Sequence, residues 1–130
     1  MSKNRLPDAE LTIMKALWAI GTDVTSHQIQ DYIKTDCKWT NVMVLNLLAR
    51  LVKRDFVSVE KVGTHNKYSP IVNESDYLQI ESKSFLKKLH GDSLRSLVSS
   101  LYSGDSISTA DLEDLRQFIE ERTCESNDIN

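Results

Sequence analysis

Apolar positions in the first seventy residues follow two periods, one helical and one alternating. Leu11, Met14, Leu17 and Trp18 stand at i, i+3, i+6 and i+7, one face of a helix that Pro7, Asp8 and Glu10 would open and Gly21 would close. Thr25 and Gln28 have capping-box spacing ahead of Ile29, Tyr32 and Ile33, which predicts a short second helix. A third helix is expected to start at Thr40 or Asn41, either of which can accept from an unpaired N–H of the first turn. FVSVEKV (56–62) and NKYSPIV (66–72) are rich in β-branched and aromatic residues, with GTH between them as the expected hairpin turn. Helix, helix, helix, hairpin is the order of a winged helix-turn-helix, mainly α with a small β-wing.

From Ser75 the helical period returns three times. Leu78, Phe85, Leu86 and Leu89 form a stripe that stops at Gly91. Asp92 is expected to cap the next helix, whose stripe is Leu94, Leu97, Val98 and Leu101. Ser108 and Asp111 form a capping pair ahead of Leu112, Leu115, Phe118 and Ile119. Three short helices without a strand bury too little surface to hold a core of their own, so they are expected to pack against a second copy. Leu78, Phe85, Leu89, Leu94, Leu97, Val98, Leu101, Leu112, Leu115 and Ile119 are the candidate dimerisation residues. The predicted organisation is a winged helix-turn-helix DNA-binding domain over 1–73 and a helical dimerisation region over 74–130, its polar tail frayed from Thr123.

At about 100° per residue, Val44, Leu47, Leu48, Leu51 and Val52 point to one side of the third helix, and Val42, Met43, Asn46, Arg50 and Lys53 to the other. The second side suits a DNA groove. Asn46 can bond an adenine edge, and Val42 and Met43 can pack on thymine methyls. Arg50 and Lys53 would then hold phosphates, which points to an A·T-rich site. Lys61, His65 and Lys67 on the hairpin offer a second backbone clamp. With Thr40 and Asn41 at the helix start, these residues make up the candidate DNA-contacting set. Two competing readings exist. Val42 and Met43 could be core on a fully wrapped helix with Arg50–Arg54 as a solvated end, or Val42, Met43 and Leu45 could form a docking patch for another protein.

Composition narrows the classes. A chain of 130 residues holds one ordinary domain, or a small domain with an appendage, and excludes a large multidomain enzyme. Its 40% hydrophobic and 27% charged residues suit a soluble globular protein. The net charge of -3 conceals an asymmetry: residues 1–70 hold ten Lys/Arg against seven Asp/Glu, whereas 71–130 hold six against twelve. The front half can sit on a polyanion and the rear half cannot. No membrane span and no secretory signal is read, so the cytoplasm is the expected compartment. Cys37 and Cys124 have no CxxC or Cys/His partners and are taken as incidental thiols. His27, His65 and His90 are scattered, without HExxH, GxSxG or a phosphate loop, so neither an enzyme nor a cofactor or metal site is expected. The acidic cluster Asp111, Glu113, Asp114, Glu120 and Glu121 has the wrong spacing for a calcium loop and is taken as a solvated face.

From Leu6 to about Glu121 the chain resembles the penicillinase-repressor (BlaI/MecI/CopY) family of bacterial winged-helix transcriptional regulators. The resemblance is carried by AELTIMKALW (9–18), Trp39 to Leu51, GTHNKYSP (63–70) and SFLKKLHGDSLRSLVSSL (84–101), in that order and spacing. It implies a homodimer that represses transcription by occupying a palindromic operator. In the β-lactamase branch it implies inactivation by a membrane sensor-protease pathway that cuts within the dimerisation region, at the bond matching Ser100–Leu101. That branch has Asn-Phe at the bond. The family also commonly has Thr where this chain has Met43 and Asn46, and often a basic or polar residue at the position of Leu45, which implies a different operator preference or weaker binding. The copper-responsive branch ends in CxC, where this chain has the single Cys124.

Overall fold

The computed structural model describes residues 5–34 and 38–129, with side chains through 124. Cys37 lies outside the described residues. The chain divides into two compact units, Met1–Lys83 and Ser84–Asn130.

The first unit holds α1 (Asp8–Ile20), α2 (Ser26–Ile33), α3 (Asn41–Lys53), β1 (Val57–Val62), β2 (His65–Pro70) and the first turns of α4 (Glu74–His90). Gly21 ends α1 at φ 127°, a region open to glycine, with its N–H on Leu17 O at 2.8 Å. The Thr25–Gln28 capping box forms in both directions: Gln28 N donates to Thr25 Oγ1 at 3.2 Å, and Thr25 N to Gln28 Oε1 at 2.8 Å. Ile29 and Ile33 bury their side chains, but Tyr32 is 53% exposed and leaves the predicted stripe. The buried seam of α2 is Ser26, Ile29 and Ile33, at i, i+3 and i+7, and Tyr32 falls a quarter turn outside it.

β1 and β2 pair antiparallel from Val57↔Pro70 to Val62↔His65. The turn is therefore the two residues Gly63 and Thr64, with Gly63 at φ 63°, and His65 is the first residue of β2, outside the turn where the sequence pattern placed it. Val24 adds an isolated antiparallel bridge to Tyr68 of β2. Its N–H donates to Tyr68 O at 2.8 Å, and Tyr68 N–H donates back to Val24 O at 2.7 Å.

Ile13, Met14, Leu17, Ile29, Val44, Leu48, Leu51 and Phe56 are fully buried in one core with Leu6 and Tyr77. Each large apolar side chain so placed contributes about 1.5–3 kcal/mol. Tyr77 stands in the first turns of α4, beyond the boundary drawn at residue 73. Its ring lies 5.8 Å from that of Trp18 and 5.9 Å from that of Phe56.

The second unit holds the rest of α4, α5 (Leu94–Ser103) and α6 (Thr109–Ile129). Asp92 does not cap α5: it sits at φ 68° after Gly91 at φ 55°, and the cap is Ser93, whose hydroxyl accepts from Ser96 N at 3.1 Å. A left-handed residue turns the chain, and the extended residue after it can cap. Ser108 and Asp111 cap α6 reciprocally, at 2.8 and 3.1 Å. The helix continues through the segment expected to fray, since no Gly or Pro follows Gly104, and Thr123 Oγ1 donates to Ile119 O at 2.7 Å. Arg116 bridges Glu113 and Glu120 on its outer face and holds the Glu113 carboxyl below the usual range. None of the described side chains from Ser84 to Cys124 is buried. Leu94, Val98, Tyr102, Leu112, Leu115 and Ile119 line an apolar groove of about 410 Å³ between α5 and α6.

Candidate nucleic-acid interface

α3 is divided along its length. Val44, Leu48 and Leu51 are wholly buried, whereas Val42 is 65%, Met43 43% and Leu45 37% exposed. Asn46, Ala49, Arg50 and Lys53 are exposed as well. The fully wrapped helix is thereby excluded. At about 100° per residue, Val42, Asn46, Ala49 and Lys53 lie along the middle of the outer side, flanked by Met43 and Arg50 on one edge and Leu45 on the other. Ala49 is absent from the sequence-derived set, although its spacing of i+3 from Asn46 and i+7 from Val42 places it there.

Local bonds hold this helix in place. The Thr40 hydroxyl accepts from Met43 N at 3.2 Å and so starts α3, while the carboxamide oxygen of Asn41 is buried without a hydrogen-bond partner. Gln30 Nε2 donates to Trp39 O at 3.0 Å, tying α2 to the residue before the cap. At the other end Arg54 turns inward, its guanidinium 3.2 Å from Glu10 Oε1, with the Glu10 side chain only 6% exposed. The solvated basic end anticipated from Arg50 to Arg54 is thus Arg50 and Lys53 alone, because Arg54 neutralises a buried carboxylate.

The wing presents Lys61 and His65 to solvent, and Lys67 is half-buried. Glu60 stands directly across the ladder from Lys67, so a carboxylate neighbours that cation. In the second unit Phe85, Leu89, Leu94 and Ile119 are exposed, Leu101 is 38% exposed, and Leu97, Val98, Leu112 and Leu115 are half-buried; Leu78, in the first unit, is exposed. Ser100 and Leu101 are both exposed within α5, and their carbonyls accept from Gly104 N at 3.1 Å and Ser106 N at 2.9 Å. His90 Nδ1 lies 2.9 Å from Ser96 Oγ, and His27 stands on α2 and His65 on β2. Among the described residues no group of three or more His, Cys, Asp or Glu side chains could hold a metal ion.

The model of the penicillinase repressor family matches residues 6–121. The chain belongs to the penicillinase repressor family. This is a family of repressors and not of enzymes. The penicillinase repressor of Bacillus licheniformis is 32% identical to this family member over 117 residues, which cover 90% of this chain and 91% of that one. The methicillin resistance regulatory protein MecI of Staphylococcus aureus is 25% identical over 117 residues, covering 90% and 94%. Among solved structures, the DNA binding domain of the repressor BlaI matches with a TM-score of 0.50 at 27% identity, over 56% of this chain and 88% of that domain. That likeness agrees with a mainly helical fold carrying a two-stranded wing.

Proposed function

We propose that this protein is a cytoplasmic, homodimeric transcriptional repressor whose two α3 helices enter successive major grooves of a palindromic operator. The observation that carries the proposal is the outer side of α3: base-contacting residue types over its first turns, Arg50 and Lys53 at its end, and none of them needed for the core. The solved BlaI relative is a DNA-binding domain, which supports the same use of this fold. The reading assigns residues 1–73, whose core the first turns of α4 complete, to DNA and the helices beyond to pairing, with the wing residues Lys61, His65 and Lys67 on the backbone.

Pairing is supported by the second unit, which buries none of its described side chains and opens an apolar groove along α5 and α6. Helices so patterned gain their stability by covering that stripe. The Ser100–Leu101 bond, the counterpart of the cleavage point in the β-lactamase branch, is helical on both sides. Proteolysis acts on opened chain, so a sensor-protease pathway could inactivate this repressor only after α5 unwinds.

Fluorescence anisotropy with duplex from the chain's own promoter, against a random duplex of equal length, tests the proposal. The promoter duplex should bind at least about a thousandfold tighter near physiological salt. Equal affinity for both at every salt concentration would overturn it. It would leave the second reading, favoured by the exposure of Val42, Met43 and Leu45, in which α3 docks another protein.

A further inference from the structure

We infer that α3 reads the 5-methyl groups of pyrimidines, through apolar contact more than through hydrogen bonds; this rests on the DNA-binding reading above and deepens it. Val42, Met43 and Leu45 are among the side chains that the first turns of α3 expose. A valine or leucine offers a base edge no hydrogen bond, and a thioether offers at most a weak acceptor. Every base pair presents donors and acceptors in the major groove, but only one apolar feature occurs there, the methyl on C5 of thymine. An apolar side chain set against a guanine or cytosine edge strips water from polar atoms and returns nothing, which costs affinity. The face therefore fits where methyls lie and is penalised elsewhere.

Two further features favour a groove over an apolar protein as the occupant. Arg50 and Lys53 flank the apolar turns on the same side, so the surface complements a polyanion. Ala49, at the middle of the exposed line, presents only a methyl group, which lets the helix backbone approach the base edges closely. The ligand chemistry is a 5-methylpyrimidine edge, which DNA supplies as thymine or as 5-methylcytosine.

The test uses a duplex that the full-length protein itself enriches from a random-sequence library. Replacing each thymine in turn by deoxyuridine removes the methyl and keeps the pairing. Each thymine read in this way should lose about fourfold in affinity, the worth of burying one methylene-sized group. At those positions a guanine·cytosine pair is then compared with guanine·5-methylcytosine. A gain of similar size on methylation assigns both sources of the methyl, and a gain from thymine alone restricts the source to thymine. The Val42→Ser/Met43→Ser protein, altered only at exposed side chains, should distinguish thymine from uracil duplexes less, Leu45 being unaltered. The inference is overturned if the unaltered protein does not distinguish thymine from uracil, or if the double variant keeps the same ratio. A library that yields no enriched duplex instead overturns the DNA-binding reading itself.

Discussion

The Leu6 N–H donates a 2.8 Å hydrogen bond to the hydroxyl of Tyr77, joining residues 71 positions apart inside the core of the first unit. Burial pushes the Tyr77 phenol up to about 12, since the phenolate would lose its hydration. The neutral hydroxyl is the form the folded state prefers, so its contribution is intact below the unfolded value of about 10 and is lost as pH rises towards 12. Unfolding by urea should show stability falling by about 2 kcal/mol across that window. Tyr77→Phe should cost about 1 kcal/mol at pH 7 and remove most of this alkaline loss. An equally steep loss in Tyr77→Phe would show that other groups cause it.

Glu10 and Arg54 form a pair in which one partner is buried and the other one-third exposed. Removing the cation strands a buried carboxylate, whereas the exposed side of the pair limits its net worth. Arg54→Ala should therefore destabilise the protein by about 1–3 kcal/mol at pH 7, and Glu10→Gln by less, because the cation it leaves without a counter-charge is one-third exposed and the amide oxygen can still accept from it. Denaturant midpoints at constant m-value check the order of the two.

Lys53 and Arg54 are adjacent in sequence but differ in surroundings, which the salt dependence of operator binding should expose. Lys53→Ala should flatten the slope of log affinity against log salt by about one for each phosphate that the lysine no longer neutralises. Arg54→Ala should leave the slope unchanged, because that cation already faces Glu10. Equal flattening by both substitutions would place Arg54 on the DNA.

Leu97 is half-buried on α5, and a charge there tests pairing. Leu97→Glu should sediment as a monomer and bind the operator at least about tenfold more weakly, because two linked half-sites bind far more tightly than one. A dimer with unchanged affinity would remove Leu97 from the pairing surface.

Much of the fold was legible because its determinants are local. The capping residues Thr25, Thr40 and Ser108, the closing Gly21 and the alternating hairpin residues each specify structure within a few positions. What sequence spacing missed is set by packing between distant segments. Val24 becomes a bridge residue only because Tyr68 reaches it, and Tyr77 is core only because Leu6, Trp18 and Phe56 surround it. Arg54 looks like its neighbour Lys53 until Glu10, 44 residues earlier, is found beside it. On α3 the apolar periodicity separates inner from outer side chains, but Ala49 carries neither a polar group nor a long apolar side chain and so does not stand out in the sequence as a groove contact.

The unburied apolar surface of the second unit has a consequence for dosage. If operator binding needs two copies and a lone copy carries an oily flank, the number of active molecules follows roughly the square of the concentration of single chains while pairing is incomplete. A modest fall in synthesis would then release the controlled promoter more sharply than in proportion, giving the circuit a threshold without any added signal.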